Sequence, residues 1–257
     1  MRSGICQFMT FRTHGYRLRF YPTDLSAELW YNPDSRASDN RLISAYLKPG
    51  DCYIDVGANI GSTVIAGAVE VGLRGRVLAV EPHPRIFRYM LKNIELNGLK
   101  NVTSMNIALA AEPGSASFSD YKSDDLNHIE SEGIGALDVK LSTLDSLADA
   151  FHSIDLLKID VEGFEAQVLA GARETLSKTN AIYIEIADRF LRNYGSSARE
   201  VLGTLQAAGF HILRWTSETL LEEIFGDFLQ FHEIEDVLAV RSVDQARNRL
   251  APAISVK

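Results

Sequence analysis

The feature of this chain that most constrains its fold is a regular alternation of short apolar runs and amphipathic segments from residue 52 onward. The apolar runs predict strands at 52–56, 76–80, 102–108, 139–142, 156–159, 181–186, 210–215 and 236–241. The segments between them predict helices at 62–71, 85–97, 164–176 and 197–208. Such alternation builds a mainly parallel sheet with helices on both faces, and the two last strands predict an antiparallel closing pair. We therefore expect one α/β domain.

Composition restricts the class of partner. The chain has 257 residues and a formal net charge of -8. Affinity for nucleic acid depends mainly on Lys and Arg, so this charge argues against a nucleic-acid partner. We find no apolar stretch of membrane-spanning length and no signal-peptide core, and Cys6 and Cys52 alone form neither a disulfide framework nor a zinc site. We expect a cytoplasmic protein that acts on a small molecule, without membrane contact.

The loop after the first predicted strand is the first candidate ligand site. Open α/β sheets bind ligands at the carboxyl ends of their strands. Here the loop reads Asp55-Val56-Gly57-Ala58-Asn59-Ile60-Gly61. A dinucleotide fingerprint would place glycines at positions 57, 59 and 62, and two of these positions differ. Asp55 favours a ligand with a cationic group over a diphosphate, although a simple glycine-rich turn has the same pattern.

The loop after the second predicted strand contains a carboxylate suited to a ribose. Glu81 stands 20 residues beyond Gly61, about where nucleotide sites of this architecture hold the ribose hydroxyls. Pro82 and Pro84 stiffen the turn, and His83 is interpreted as a helix-entry residue. The alternative is that Glu81 is a solvated residue at a strand end.

The loop after the strand at 156–159 carries three carboxylates, Asp160, Glu162 and Glu165. Charged groups at the end of an apolar strand are costly unless they are paired, hydrogen-bonded or functional. Asp160 and Glu162 are candidates for orienting a substrate, for removing a proton, or for holding a divalent metal, although no complete metal-ligand set is visible. Capping of the next helix is the alternative for Glu162 and Glu165, and Lys158 is expected to pair with one carboxylate.

Together the three loops resemble the FkbM family of class I methyltransferases. The matching segments are IDVGANIGS, RVLAVEPHPRIFRYMLKNIELNGLKNV and LLKIDVEGFEAQVLAGA, within residues 49–186. The resemblance implies a Rossmann-like sandwich whose seven-stranded sheet is mostly parallel with one antiparallel strand. It also implies S-adenosylmethionine as cofactor and O-methylation of a hydroxyl on a sugar or small natural product.

The resemblance also implies roles for individual residues. The methionine part of the cofactor would lie on Asp55 and on the loop residues Gly57, Ala58, Asn59 and Gly61. The ribose would lie on Glu81, the adenosine near Pro82 and His83, and the adenine near Ala108. Asp160 would stand near the sulfonium and the acceptor, together with Glu162.

The remaining regions match the family less well and would form the acceptor side. We interpret 1–49 as an N-terminal cap on the substrate side and 50–257 as the cofactor-binding domain, within one compact unit. Asp160 is the first candidate for the general base, Glu162 the second and His128 a third, because an alcohol is a poor nucleophile until a base accepts its proton. No residue is assigned as a metal ligand, and the sequence leaves open whether a divalent metal is needed. The competing interpretations are a non-catalytic regulatory module that binds the same cofactor and a nicotinamide-dependent oxidoreductase.

Overall fold

The protein was analysed as a computed structural model, which describes residues 9–119, 129–130, 137–225 and 234–257. The insert around residues 120–128 and 131–136, with the candidate base His128, lies outside the described residues. So do Phe228 and Leu229, two late apolar residues that the sequence predicts either to cover the sheet or to form a dimer contact. The strands are β1 (Thr10–Thr13), β2 (Tyr16–Arg19), β3 (Cys52–Val56), β4 (Arg76–Val80), β5 (Val102–Met105), β6 (Ala108–Leu109), β7 (Gly114–Phe118), β8 (Ile129–Glu130), β9 (Leu137–Ser142), β10 (Ile154–Ile159), β11 (Thr179–Ile186), β12 (His211–Ser217), β13 (Leu220–Ile224), β14 (Glu235–Val240) and β15 (Ser255–Val256). The helices are α1 (Asp24–Tyr31), α2 (Ala37–Tyr46), α3 (Ser62–Val71), α4 (Pro84–Leu96), α5 (Leu144–Ala148), α6 (Glu165–Ala170), α7 (Arg173–Ser177), α8 (Asp188–Leu191), α9 (Ala198–Ala207) and α10 (Val243–Leu250), with a short 3-10 helix at Arg192–Tyr194.

The main sheet is mostly parallel with one antiparallel strand in its central part, as expected. Within the part of the chain that the structure describes, nine strands follow the order β15-β13-β12-β14-β11-β10-β3-β4-β5. From β5 to β11 all neighbours are parallel, and β14 is antiparallel to both β11 and β12. The seven strands from β12 to β5 confirm the Rossmann-like methyltransferase sandwich, and β13 and β15 extend it at one edge.

Strand alternation distributes the core over two faces. On β3 and β10, Tyr53, Asp55 and Lys158 point to one face, whereas Ile54 and Leu157 point to the other. The first face is covered by the N-terminal segment with α2, α3, α4 and α10, and the second by α6, α7 and α9. The first face therefore carries polar groups beneath the N-terminal segment.

The N-terminal segment is fixed to the rest of the chain by hydrogen bonds. Asn93 on α4 and Asn97, the residue that follows the helix, accept the backbone N–H groups of Arg19 and Arg17 at 2.9 and 3.0 Å. The Tyr183 hydroxyl donates to Asp39 on α2 at 2.7 Å. The segment thus lies over the end of the sheet that carries the candidate loops.

Two local features differ from expectation. The helix predicted at 164–176 is divided into α6 and α7. Gly171, which ends α6, packs so closely against the chain that an added Cβ would lie 2.1 Å from the Ala110 carbonyl oxygen. The strand predicted at 102–108 is divided into β5 and β6, and β6 joins a second, four-stranded sheet with β9, β7 and β8. None of the helices in the described ranges is long and apolar enough to cross a membrane.

Candidate active site

A cleft lies at the carboxyl ends of β3, β4 and β10, where the three predicted loops meet. About 1040 Å³ of empty space lies within the cleft, open solvent included. Of the predicted site residues, the structure brings together in its lining Gly57, Ala58, Asn59, Glu81, Pro82, His83, Ala108, Asp160 and Glu162.

The loop after β3 owes its path to residues with left-handed backbone. Gly57, Asn59 and Gly61 have φ values of 82°, 47° and 88°. An added Cβ at Gly57 would lie 1.7 Å from the Asp160 carbonyl oxygen, and the Asp160 N–H donates to Val56 at 3.0 Å. The first and third loops are therefore in direct contact. Gly61 lies outside the cleft lining, at the start of α3.

Asp55 lies beneath the cleft and does not contribute to its lining. Its side chain is fully buried, accepts the Tyr53 hydroxyl at 2.9 Å, and is bonded by Thr63. Burial raises the pKa of Asp55, and Lys158 on the adjacent strand opposes that rise. The contact predicted between Asp55 and the cofactor stays a prediction. An effect of Asp55 on a bound ligand would act through residues 57–61, the loop that follows β3.

Glu81 links the first and second loops. Its two carboxylate oxygens accept the backbone N–H groups of Asn59 and His83 at 2.9 and 2.8 Å. Asn106 donates its side-chain amide to the carbonyl oxygens of Glu81 and Pro82 at 2.9 and 2.8 Å. Glu81 is only 7% exposed and lies in the cleft lining.

His83 begins α4, in agreement with its interpretation as a helix-entry residue. Its Nδ1 accepts the Arg85 N–H at 3.2 Å, and its ring contacts Phe118 edge to face at 6.2 Å between centroids. Phe118, together with Ile107 and Leu109, adds an apolar wall to the cleft. Such a wall suits the flat base of a nucleoside. Sequence reasoning did not identify Phe118, since nothing in its local sequence distinguishes it from a core residue.

Asp160 forms an ion pair inside the site. The Lys158 ammonium lies 2.8 Å from Asp160, as expected for a strand-end partner. Burial by itself would raise the pKa of Asp160, but Lys158 outweighs burial and lowers it. Burial alone would lower the pKa of Lys158, and the carboxylates of Asp160 and Asp55 raise it above the ordinary value instead. Asp160 is therefore ionised at neutral pH.

Glu162 and Glu165 take different positions in the third loop. Glu162 has a left-handed backbone, with φ of 54°, and lines the cleft. Glu165 is buried, and one of its oxygens accepts the N–H groups of Val161 and Gly163 at 3.3 and 3.1 Å. Burial raises the pKa of Glu165 to about 7. Glu165 thus stabilises the loop that presents Glu162.

Several polar residues that sequence reasoning missed lie at the same end of the cleft. Arg36 and Asp39 from the N-terminal segment belong to its lining. Asp160, Glu162 and Glu185 each offer an oxygen within 4.8 Å of the others, a spacing that could hold a metal ion. Glu185 could have been identified from the sequence, because it is the one charged residue in the otherwise apolar strand β11.

The strand order and the loops together define a class I methyltransferase site that fits S-adenosylmethionine. The fit rests on the buried Glu81 carboxylate, the glycine loop and the apolar wall. Residues 55–212 match the model of the methyltransferase FkbM domain, and the chain belongs to this family. It is a methyltransferase that depends on S-adenosylmethionine, and neither the oxidoreductase nor the regulatory module is favoured.

Two curated relatives and one solved structure illustrate the similarity. The 2-O-methyltransferase NoeI of Sinorhizobium fredii is 28% identical over 64% of this chain and 75% of its own length. The hexuronic acid methyltransferase AglP of Haloferax volcanii is 28% identical over 67% of this chain and 71% of its own length. A SAM-dependent O-methyltransferase from Thermotoga maritima superposes with a TM-score of 0.48 at 18% identity, covering 91% of this chain and 77% of that one.

Proposed function

We propose that the chain transfers a methyl group to a hydroxyl oxygen of a sugar. The observation that carries the proposal is the presence of Asp160 and Glu162 in the same cleft as Glu81 and the glycine loop. The relatives NoeI and AglP, named as a 2-O-methyltransferase and a hexuronic acid methyltransferase, support a sugar-like acceptor. The negative net charge supports a small acceptor rather than a nucleic acid. The low cysteine content supports the cytoplasm as the location.

The cofactor side is assigned to the first and second loops. Gly57, Ala58 and Asn59 would hold the methionine part, with Gly61 fixing the end of the loop. Glu81 would accept the ribose hydroxyls, because its carboxylate lies in the cleft lining and is held in place by the backbone N–H groups of Asn59 and His83. Pro82 and His83 would flank the adenosine, and Ala108 would lie near the adenine.

The acceptor side is assigned to the third loop and to the N-terminal segment, residues 1–49. The bound cofactor supplies an electrophilic methyl group on a sulfonium. The chain itself has to align the acceptor oxygen with that methyl group and exclude water. Asp160, which Lys158 keeps ionised, would accept the proton of the acceptor hydroxyl, while that oxygen would take the methyl group from sulfur and leave S-adenosylhomocysteine. Glu162 is the second candidate for this proton.

The test measures methyl transfer to a panel of sugars and cofactor binding in parallel. Asp160→Asn should lower kcat by about 100-fold or more, the contribution of a general base. Its affinity for S-adenosylhomocysteine should stay near that of the wild type. Asp149→Asn, the same change at an exposed position directly after α5, serves as the matched control and should leave both values unchanged.

Two outcomes would contradict the proposal. Near-normal turnover of Asp160→Asn would remove Asp160 as the base, and Glu162→Gln would then be measured in the same way. A protein that binds S-adenosylhomocysteine but methylates no sugar in the panel would refute the sugar acceptor.

A further inference from the structure

One aromatic side chain, Phe164, lies in the third loop together with the proposed base. It stands four residues beyond Asp160 and two beyond Glu162, and all three residues line the same cleft. The N-terminal segment adds Arg36 and Asp39 to that lining. Phe164 is half-buried, so part of the residue stays accessible from the cleft. The cleft therefore offers an apolar ring in the same loop as its hydrogen-bonding groups.

Close packing fixes the position of Phe164. The preceding residue, Gly163, lies so close to α8 that an added Cβ would be 2.6 Å from the carbonyl oxygen of Phe190. The rings of Phe164 and Tyr194 meet edge to face, with 5.1 Å between their centroids and an angle of 82° between their planes. Glu165 holds the same loop by accepting the Gly163 N–H at 3.1 Å. Phe164 is therefore in place before an acceptor binds, which lowers the cost of ordering it on binding.

The contact with Tyr194 occupies at most one face of the Phe164 ring, because in an edge-to-face pair one ring presents its edge and the other presents one face. The face of an aromatic ring carries partial negative charge. The C–H bonds of a pyranose carry partial positive charge and form apolar patches on the faces of the sugar ring. Stacking such a patch on an aromatic ring removes apolar surface from water. Asp160 and Glu162 accept hydrogen bonds from hydroxyls, so the two kinds of side chain match the two kinds of surface on a sugar.

We propose that Phe164 determines acceptor specificity by stacking on a C–H face of a pyranose while a hydroxyl of the same sugar lies at Asp160. The inference rests on the proposed sugar methylation and names the class of acceptor, a cyclic sugar rather than an open-chain polyol. Phe164 contacts the sugar ring and takes no part in proton transfer. Its loss should therefore raise KM for the sugar and leave kcat near that of the wild type.

The competing contact for the Phe164 ring is the sulfonium of the cofactor, because a cation also binds the face of an aromatic ring. The charge of the ligand distinguishes the two contacts, since S-adenosylmethionine carries the sulfonium and S-adenosylhomocysteine does not. Calorimetry on Phe164→Leu should give affinities for both ligands near those of the wild type. A variant that binds S-adenosylmethionine more weakly, with its affinity for S-adenosylhomocysteine intact, would overturn the proposal.

The test is an NMR titration of methyl glycosides of the gluco and galacto series into the complex with S-adenosylhomocysteine. Phe164→Leu keeps an apolar side chain but removes the ring, so it should bind the glycoside about three- to tenfold more weakly, the worth of one aromatic contact. In the wild-type complex the C–H protons on the stacked face should shift upfield through the ring current, and the variant should lose this shift. Wild-type affinity or an unchanged upfield shift in Phe164→Leu would overturn the inference. So would glucitol or galactitol, the open-chain counterparts, binding to the wild type as tightly as the glycosides.

Two further variants separate stacking from a general loss of structure. Phe151→Leu is the matched control, because Phe151 is also half-buried but lines a separate hollow beside β4 and β5. It should leave the glycoside affinity and the upfield shift unchanged. Phe164→Tyr keeps the ring and should retain the affinity that Phe164→Leu loses, and a Phe164→Tyr variant as weak as Phe164→Leu would contradict stacking. If no glycoside binds although the wild type binds S-adenosylhomocysteine, the proposed sugar acceptor itself fails, whereas glycoside binding that does not depend on Phe164 refutes this inference alone.

Discussion

Replacing Gly57 by alanine should separate the two loops that meet beneath the proposed cofactor position. The φ value of 82° costs a residue with a side chain about 1 to 2 kcal/mol. The added Cβ would also lie 1.7 Å from the Asp160 carbonyl oxygen, about half of an ordinary contact distance. Relief of that overlap by moving the backbone costs a further ~1–3 kcal/mol. We expect Gly57→Ala to lose about 2 to 5 kcal/mol of unfolding free energy.

The matched control is Gly15→Ala, because Gly15 has a φ of 88° and nothing lies within 4 Å of its added Cβ. That variant should lose only the conformational cost of about 1 to 2 kcal/mol. Urea unfolding measures both stabilities, and calorimetry measures the affinity for S-adenosylhomocysteine. Gly57→Ala should also bind at least about tenfold more weakly, since the loop is displaced. The reasoning is refuted if Gly57→Ala is as stable as Gly15→Ala and binds with wild-type affinity.

Two further predictions concern charges near the site. Lys158→Met removes the ammonium that lowers the pKa of Asp160 below its ordinary value of 3.8. The acid limb of the profile of kcat/KM against pH should therefore shift to higher pH in this variant. An acid limb at the same pH as in the wild type would exclude Asp160 as the base. Glu165 has a folded-state pKa of about 7 against an ordinary 4.5, so the folded state binds its proton more tightly and stability falls as pH rises through this window. Between pH 5 and pH 8 the wild type should lose about 2 to 3 kcal/mol more than Glu165→Gln in urea unfolding. The same pH dependence in both proteins would contradict the assignment.

The sequence predicted the central strands and helices closely. The bounds of β3, α3 and β4 agree with the predicted ones, because uninterrupted apolar runs and helical spacing leave little ambiguity. The helices α1 and α10 were missed: α1 has eight residues, and α10 is strongly polar, with a sequence of VDQARNRL. The strand β13 was also missed, since two glutamates interrupt its apolar run. Weak local patterns of this kind depend on the rest of the fold for their structure.

The candidate site was predictable where its residues directly follow a predicted strand. The three loops each lie at a strand end, which is why Glu81, Asp160 and Glu162 could be placed together before the structure was known. Asp39 could not, because it is far from these loops in sequence and only the position of α2 brings it to the cleft. The acceptor side is therefore the part of the site for which the structure contributed most.

The most direct test of the cofactor site is a calorimetric titration of wild type and Glu81→Ala with S-adenosylhomocysteine. The account predicts that the wild type binds, and that the variant, folded but without the carboxylate that joins Asn59 and His83, binds at least about tenfold more weakly. Folded wild type that fails to bind, or a variant with undiminished affinity, would contradict the placement of the cofactor in this cleft.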